Sequence, residues 1–263
     1  MDSPLAFAEN LAVDTGRLLL EFFTPNGTSS SLKEDYSIVT EADLSADNLI
    51  TQTIQNSYPS DSLISEESQT TISESGGAVW VVDPLDGTTN FSLGLPIWGV
   101  SIARLFNGWP SVGAIYFPML DELFTAQSGS GAFLNGERIS TQPPIPGQPN
   151  SFFSCCTRTH RHYDISIRYK TRILGSACYS FCAVARGMAV ISFEATPKIW
   201  DIAASWLMVE EAGGKIETID DSLPFPLAAN FDYRQRSFPV LSGATEELTK
   251  AARGKIKRRD LVE

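Results

Sequence analysis

The chain has 263 residues, with 20 Lys and Arg against 31 Asp and Glu, and its formal net charge is −11. Its length allows one large domain or two smaller ones packed together, and a hydrophobic content of 43% is enough for a buried core. The acidic balance argues against a nucleic-acid or anionic-membrane partner, and no apolar run approaches the roughly 18 residues of a membrane-spanning helix.

Helical signals dominate the first part of the chain. Apolar residues at helical spacing predict a helix over residues 4–23. Thr40 and Asp43 have the spacing of a capping box, which predicts the start of a second helix. After a polar stretch, the short apolar run from Ala78 to Val82 is typical of a buried strand.

From residue 98 the pattern indicates strands. Val100 to Phe106 and Val112 to Phe117 flank Asn107-Gly108, which predicts a hairpin with a tight turn. Two further strands are predicted over residues 123–126 and 131–134, and Asn135-Gly136 predicts a second tight turn.

A proline-rich segment over residues 142–150 is the best candidate boundary between two halves. We therefore predict an N-terminal α+β half, 1–145, and a C-terminal α/β half, 146–263. In the second half, Asp201 to Glu211 is predicted to be a helix that Gly213-Gly214 ends.

The cysteines and histidines argue against a zinc site and against a catalytic histidine. The four cysteines (Cys155, Cys156, Cys178 and Cys182) lack the spacing of a zinc site and are expected to be buried free thiols on a strand and a helix. His160 and His162 are expected in a polar loop rather than as a catalytic base. Asp2, Asp14 and Arg17 do not suit a signal peptide, so we expect a cytoplasmic location.

The segment 80–91, Trp-Val-Val-Asp-Pro-Leu-Asp-Gly-Thr-Thr-Asn-Phe, carries the sharpest chemical signal. An apolar strand ends in two carboxylates, Asp83 and Asp86, separated by a rigid proline and followed by a helix start at Thr88. Hard divalent cations such as magnesium prefer these oxygens, and free N–H groups at a helix start suit an anion. An ordinary Asp-capped turn would have the same local pattern.

Three other acidic segments favour the metal site over the ordinary Asp-capped turn. They are Val39-Thr-Glu-Ala-Asp43, Ser65-Glu-Glu-Ser68 and Trp200-Asp-Ile-Ala-Ala204 with Glu211-Ala-Gly-Gly214. Each alone is explained by helix capping. Together with Asp-Pro-Leu-Asp-Gly-Thr and Gly131-Ala-Phe-Leu-Asn-Gly136, and in this order, they resemble the inositol monophosphatase family of magnesium-dependent, lithium-sensitive sugar phosphatases, from about Lys33 to Gly214.

The resemblance implies a layered α+β fold, an α/β/α/β/α sandwich of the inositol monophosphatase and fructose-1,6-bisphosphatase type, and commonly a homodimer. It also implies two or three Mg²⁺ ions. Glu66, Asp83 and the Leu85 carbonyl would hold the first, Asp83, Asp86 and Asp201 the second, and Asp43 would reach a third, weaker ion near Glu66. Glu66 and Thr88 would orient the attacking water. The implied substrate contacts are Gly87, Thr88, Gly175, Ser176, Ala177, Glu194 and Asp201.

Elementary electrostatics is consistent with these roles. Five carboxylates directed at one place raise one another's pKa values, and divalent ions would neutralise them and leave positive charge for a phosphate. Phosphoryl transfer depends mainly on positioning and charge stabilisation, so a Ser or Cys nucleophile is not needed. The implied reaction is hydrolysis of inositol 1-phosphate by a metal-activated water.

Several alternatives stay open. Within the family they are a fructose-1,6-bisphosphatase or other sugar-phosphate phosphatase, and a phosphatase of adenosine bisphosphates or histidinol phosphate. The last two branches usually have Thr-Lys where Thr88-Thr89 stands. Outside catalysis, the chain could be a regulator that binds sugar phosphates without turnover.

The sequence departs from the family pattern in three places. Ser65 stands where many members have glycine, and its hydroxyl could crowd the turn or add a metal ligand. Lys33, expected near the third metal, has unusually acidic neighbours. Residues 151–170 match no substrate-recognition segment, and Thr157 and Thr159 are only weak candidates there.

Overall fold

The computed structural model describes residues 3–32, 38–72, 77–145 and 151–259. The helices are α1 (Pro4–Phe22), α2 (Glu41–Ser57), α3 (Thr88–Ser92), α4 (Thr157–His162), α5 (Ala177–Ala185), α6 (Ile199–Glu211) and α7 (Glu246–Arg253), with a 3-10 turn at Tyr233–Gln235. The strands are β1 (Ser30–Leu32), β2 (Ile38–Thr40), β3 (Ser62–Ser65), β4 (Ala78–Asp86), β5 (Gly99–Phe106), β6 (Trp109–Phe117), β7 (Glu122–Gln127), β8 (Gly131–Leu134), β9 (Glu137–Ile139), β10 (Phe152–Cys155), β11 (Tyr163–Ile165), β12 (Lys170–Arg172), β13 (Ala189–Glu194), β14 (Lys215–Thr218), β15 (Val240–Gly243) and β16 (Ile256–Arg258).

Local signals account for the helix starts and the hairpins. The predicted capping box is present at α2, where Asp43 Oδ2 accepts from the Thr40 backbone N–H at 2.7 Å. Asn107 and Gly108 have φ of 50° and 79°, and Asn135 and Gly136 have 50° and 80°. Two consecutive left-handed residues are what a two-residue hairpin turn requires, so both predicted turns are confirmed.

The larger sheet has seven strands in the order β3-β4-β5-β6-β7-β8-β9, with β3 parallel to β4 and the other pairs antiparallel. Alternate residues of β4 face opposite ways. Trp80 and Val82 pack with α1 and α2, whereas Val79 and Val81 pack into the cluster that contains α5 and α6. The sheet therefore has a helical layer on each face.

The smaller sheet has five strands in the order β12-β10-β13-β15-β14. Val240 of β15 belongs to the cluster around α5 and α6, and Leu241 belongs to a second cluster with Ala252 of α7 and Ile256 of β16. Helices and sheets thus alternate in five layers, which confirms the predicted α/β/α/β/α fold. At one edge of this sheet, all three residues of β12 are exposed.

Some local expectations need correction. His160 and His162 were expected in a loop but lie on the short helix α4, which directly follows β10. Trp98 and Trp206 are buried, whereas Trp109 is 54% exposed. Trp109 follows the turn at Asn107-Gly108, and its ring centroid lies 6.4 Å from that of Phe225.

The cysteine prediction is confirmed for three residues and modified for one. All four thiols are free, and Cys155, Cys178 and Cys182 are buried on β10 and α5. Cys156 is only half-buried, because it immediately precedes α4 at the end of a strand. Within the described ranges, no helix has the length and apolar character needed to cross a bilayer.

The division into halves at residues 145 and 146 remains a prediction, and 146–150 of the proline-rich segment lie outside the described residues. Two helices of the C-terminal half, α5 and α6, form the layer between the two sheets and pack on the larger one. Both halves therefore contribute to one shared core.

Candidate metal and substrate site

An irregularity in β4 brings Asp83 and Asp86 to the same side. In a regular strand, residues three apart point to opposite faces. Here Asp83 pairs with Ser101 and Asp86 pairs with Gly99, so three steps on β4 match two steps on β5. The extra residue is a β-bulge, and Pro84 sits inside it, where no ladder hydrogen bond is needed.

Asp201 completes an acidic cluster with these two residues. It lies in the first turn of α6, where its Oδ2 accepts from the Lys198 backbone N–H at 2.7 Å. One carboxylate oxygen from each of Asp83, Asp86 and Asp201 lies within 4.8 Å of the other two. The structure therefore brings these three predicted ligands together, although they come from two layers of the fold.

The carboxylates of the acidic cluster repel one another. Burial, followed by the charges of Glu66, Asp201 and Asp86, raises the pKa of Asp83 well above its usual range. Burial and the charges of Asp86 and Glu66 raise the pKa of Asp201 to about 7. A hydrogen bond between the two side chains further raises the pKa of Asp83 and lowers that of Asp201. These carboxyl groups therefore favour either protons or bound cations.

Asp86 is fixed from the other side by the start of α5. Its Oδ2 accepts from the Ser176 hydroxyl, and its Oδ1 accepts from the Ala177 backbone N–H at 3.1 Å. Burial raises the pKa of Asp86 to about 6, and these hydrogen bonds oppose the rise. Because Ser176 also caps α5 through the Tyr179 N–H, the orientation of Asp86 is tied to that helix.

Thr88 links the start of α3 to two predicted ligands. Its hydroxyl lies 3.2 Å from Asp43 Oδ1 and 3.0 Å from the Leu85 carbonyl oxygen, and its single proton can be donated to either. Gly87, just before it, has φ +90°, and a Cβ there would lie 3.0 Å from the Ile97 carbonyl oxygen. Only glycine suits this position without strain.

Glu66 enters the site from the end of β3. Ser65 pairs in parallel with Val82, and the Glu66 N–H donates to the Val82 carbonyl at 3.4 Å, so Glu66 lies beside Asp83. Glu66 and Asp43 are not among the three residues whose oxygens lie within 4.8 Å. Their roles as ligands, like that of the Leu85 carbonyl, stay predictions.

A cavity of ≈ 440 Å³ opens beside the acidic cluster. Five of the predicted substrate contacts line it: Gly175, Ser176, Ala177, Glu194 and Asp201. Gly87 and Thr88 are not in its wall, whereas the next two residues, Thr89 and Asn90, are. Asn90 donates to the carbonyls of Ile97 and Leu174, which holds α3 against the loop before Gly175.

Glu194 is a buried acid at the end of β13. Burial raises its pKa to about 8, while hydrogen bonds from Ser180 and Cys156 oppose the rise. The rise favours the protonated form, which can donate a hydrogen bond as well as accept one.

The analysis of the sequence missed one wall of the cavity. Cys156, Arg158 and Thr196 line it, and the Arg158 guanidinium donates to Thr196 Oγ1 at 3.1 Å. Parallel pairing sets Cys155 of β10 beside Phe193 of β13, so the residues after both strands meet at one edge. The signal in the sequence that could have located this wall was the end of the apolar run over residues 152–155. Of the two weak candidates, Thr157 lines the cavity, but Thr159 is buried and donates to the Phe193 carbonyl.

Comparison with known proteins decides the family. The sequence profile of the inositol monophosphatase family matches residues 1–258. The chain belongs to the inositol monophosphatase family. Its members are magnesium-dependent, and as one of them the chain is a metal-dependent phosphatase of sugar phosphates.

Relatives of the chain within the inositol monophosphatase family carry different names. A fructose-1,6-bisphosphatase/inositol-1-monophosphatase of Thermotoga maritima is 35% identical over 205 residues, covering 74% of this chain and 76% of its own length. A histidinol-phosphatase of Chlorobaculum parvum is 34% identical over 225 residues, covering 81% and 85%. The crystal structure of the extragenic suppressor protein SuhB from Bartonella henselae superposes with a TM-score of 0.80 at 30% identity, covering 95% and 96%.

The donor set fits the magnesium on which the inositol monophosphatase family depends. Asp83, Asp86 and Asp201 offer hard carboxylate oxygens, and their mutual repulsion would be relieved by a divalent ion. Lys33, the lysine that the resemblance places near a third ion, lies outside the described residues.

The Glu-Ala-Gly-Gly motif of the inositol monophosphatase family has a structural role in this chain. Glu211 accepts from the backbone N–H groups of Gly129 and Gly131, each at 2.7 Å, and so fixes the turn between β7 and β8.

Replacing Glu211 should cost stability and leave catalysis intact. Glu211→Ala removes two hydrogen bonds to a charged acceptor, so we expect a loss of about 2 to 4 kcal/mol and a melting temperature lower by roughly 4 to 12 °C. Glu211→Gln keeps one acceptor oxygen and should lose about half as much. Calorimetric melting, with phosphatase rates measured well below the transition, checks this. A large fall in turnover would show that the motif also serves the site.

Proposed function

We propose that the chain hydrolyses the phosphate ester of inositol 1-phosphate in a magnesium-dependent reaction. The observation that carries the proposal is the cluster of Asp83, Asp86 and Asp201, next to a cavity that Asp201 and Glu194 line. The cluster suits divalent cations and hence a phosphate, and the cavity offers polar groups for a hydroxylated ring.

In this proposal the metal ligands are those that the resemblance implies: Glu66, Asp83 and the Leu85 carbonyl for one ion, Asp83, Asp86 and Asp201 for a second, and Asp43 near a third. Bound magnesium would neutralise the phosphate oxygens and lower the pKa of the attacking water.

The protein groups would position the reactants. The Thr88 hydroxyl, with a carboxylate on one side and a carbonyl on the other, can accept a hydrogen bond from water while it donates to one of them. The backbone N–H groups of Gly87 and Thr88 lie at the start of α3, where they are available to a phosphate oxygen. Glu194 would bind a ring hydroxyl on the opposite side of the cavity.

Arg158 favours a second candidate, fructose 1,6-bisphosphate. Its guanidinium lines the same cavity, and its described hydrogen bond is to a neutral hydroxyl. A guanidinium is suited to a second phosphate and repels a cationic amine, so this wall favours fructose 1,6-bisphosphate over histidinol phosphate.

Arg158→Ala separates the two candidates. If a second phosphate contacts Arg158, kcat/KM for fructose 1,6-bisphosphate should fall by at least about 10-fold, while kcat/KM for inositol 1-phosphate changes by less than about threefold. Arg161→Ala is the matched control, because Arg161 lies on the same helix and does not line the cavity. Equal effects of both variants on both substrates would contradict this role.

The function itself is tested by magnesium-dependent phosphate release from four compounds: inositol 1-phosphate, fructose 1,6-bisphosphate, adenosine 3′,5′-bisphosphate and histidinol phosphate. The proposal expects the highest kcat/KM for inositol 1-phosphate and inhibition by lithium at saturating magnesium. No release from any compound, with magnesium bound, would favour the regulator that binds without turnover. A homodimer and a cytoplasmic location complete the proposal, and sedimentation of the purified chain tests the first.

A further inference from the structure

Asp47 is a buried carboxylate one helical turn after Asp43 on α2. Its Oδ1 accepts hydrogen bonds from the Ser65 hydroxyl and, at 3.3 Å, from the Ser68 hydroxyl. These two serines flank Glu66 and Glu67. One carboxylate oxygen therefore holds both ends of the acidic turn.

The backbone of the turn is closed by further hydrogen bonds. The Ser65 N–H donates to the Gln69 carbonyl at 2.6 Å, and the Glu66 N–H donates to the Val82 carbonyl. Ser65 is fully buried, and a hydroxyl has a single proton to donate, which here goes to Asp47. The Ser65 side chain therefore anchors the turn to α2.

We propose that Asp47 and Ser65 form a positioning pair that holds Glu66 beside Asp83 before any metal binds. Glu66 directly follows β3, and the hydrogen bond from its backbone N–H to the Val82 carbonyl places it beside Asp83. Fixing the turn keeps this carboxylate next to its neighbours despite the repulsion. The inference rests on the proposed function, because it takes Glu66 to be a metal ligand.

Magnesium binding to the full-length chain without substrate tests the pair. Partners that orient a ligand typically contribute 10- to 100-fold to metal affinity. We expect Asp47→Ala to raise the calorimetric Kd for Mg²⁺ by about 10-fold or more. Asp47→Asn keeps an acceptor oxygen for Ser65 and should stay within about threefold. Ser65→Ala is the milder variant if Asp47→Ala fails to fold, and the two changes together should add little beyond either one.

Kinetics supply a second readout. The magnesium concentration for half-maximal activity should rise in Asp47→Ala and Ser65→Ala, while KM for the phosphate ester at saturating magnesium changes by less than about twofold. Asp61→Ala is the control, because Asp61 immediately precedes β3, the strand that ends at Ser65, and accepts hydrogen bonds from Arg104 and Trp80 at 2.9 and 3.0 Å. It should lower the melting temperature and leave the Kd for Mg²⁺ unchanged.

The outcomes separate this inference from the proposed function. Wild-type magnesium affinity in both Asp47→Ala and Ser65→Ala would overturn the positioning pair, and the proposed function would stand if Asp83→Asn still abolished activity. Absence of magnesium binding and phosphate release in the unmodified chain would overturn the proposed function, and the positioning pair with it. An equal loss of affinity in Asp61→Ala would reduce the role of Asp47 to general stability and also overturn the inference.

Discussion

Asp86→Asn should reduce magnesium-dependent phosphate release by at least about a thousand-fold, equivalent to about 4 kcal/mol of transition-state stabilisation, while the chain remains folded. Asp86 is one of three carboxylates whose oxygens lie within 4.8 Å of one another. The amide retains an acceptor oxygen for Ser176 or Ala177 but removes a negative charge from the cluster. The substitution is nearly isosteric, so the loss should be electrostatic.

The measurement is steady-state phosphate release over a range of magnesium concentrations, with far-ultraviolet circular dichroism as the test of folding. Asp164→Asn is a suitable control, because it removes one carboxylate charge at an exposed ion pair with Arg259. Wild-type turnover in a folded Asp86→Asn variant would exclude the two-metal arrangement.

Without divalent ions, the chain should lose stability as the pH rises from about 4 to about 8. The pKa values of Asp86, Asp201 and Glu194 are raised to about 6, 7 and 8, whereas the same groups in the unfolded chain titrate near their ordinary values. The folded state therefore binds protons more tightly than the unfolded state, so the free energy of unfolding falls with rising pH. Full stabilisation exists below the unfolded pKa values and is lost through the folded ones.

Melting temperatures between pH 5.5 and pH 8 in a chelating buffer measure this effect. Exposed acids are already ionised over that range, so the fall, on the order of a few kcal/mol, reports mainly Asp86, Asp201 and Glu194. Saturating magnesium at pH 8 should restore the lost stability, because it replaces the protons as the neutralising charge. A melting temperature that is independent of pH in the chelating buffer would contradict the repulsion among these carboxylates.

The sequence was most informative where a local rule determines the structure. The capping box at Thr40 and the Asn-Gly turns depend on residues that are neighbours in the chain, and their geometry follows from those residues alone. The family motifs fixed the layered fold, because they appear in a characteristic order.

The arrangement of the acidic cluster was only partly predictable. Asp83 and Asp86 were identified, but the bulge that turns them to one side depends on pairing with β5, which the strand cannot specify alone. The contact between Asp47 and Ser65 joins residues 18 positions apart on a helix and a strand, and neither side chain signals it locally. Arg158 belongs to a wall that exists only because β10 and β13 run in parallel.

The exposed strand β12 constrains how copies of this chain can associate. Lys170, Thr171 and Arg172 form one edge of the smaller sheet, and an unpaired strand edge is a template for adding another strand. If a second copy added its own β12 to this edge in register, the Lys and Arg side chains of the two copies would lie side by side. These cations repel one another and remain hydrated rather than packing together. Continuous intermolecular sheets are therefore disfavoured at this edge, and concentrated solutions are protected there against the first step of fibril growth.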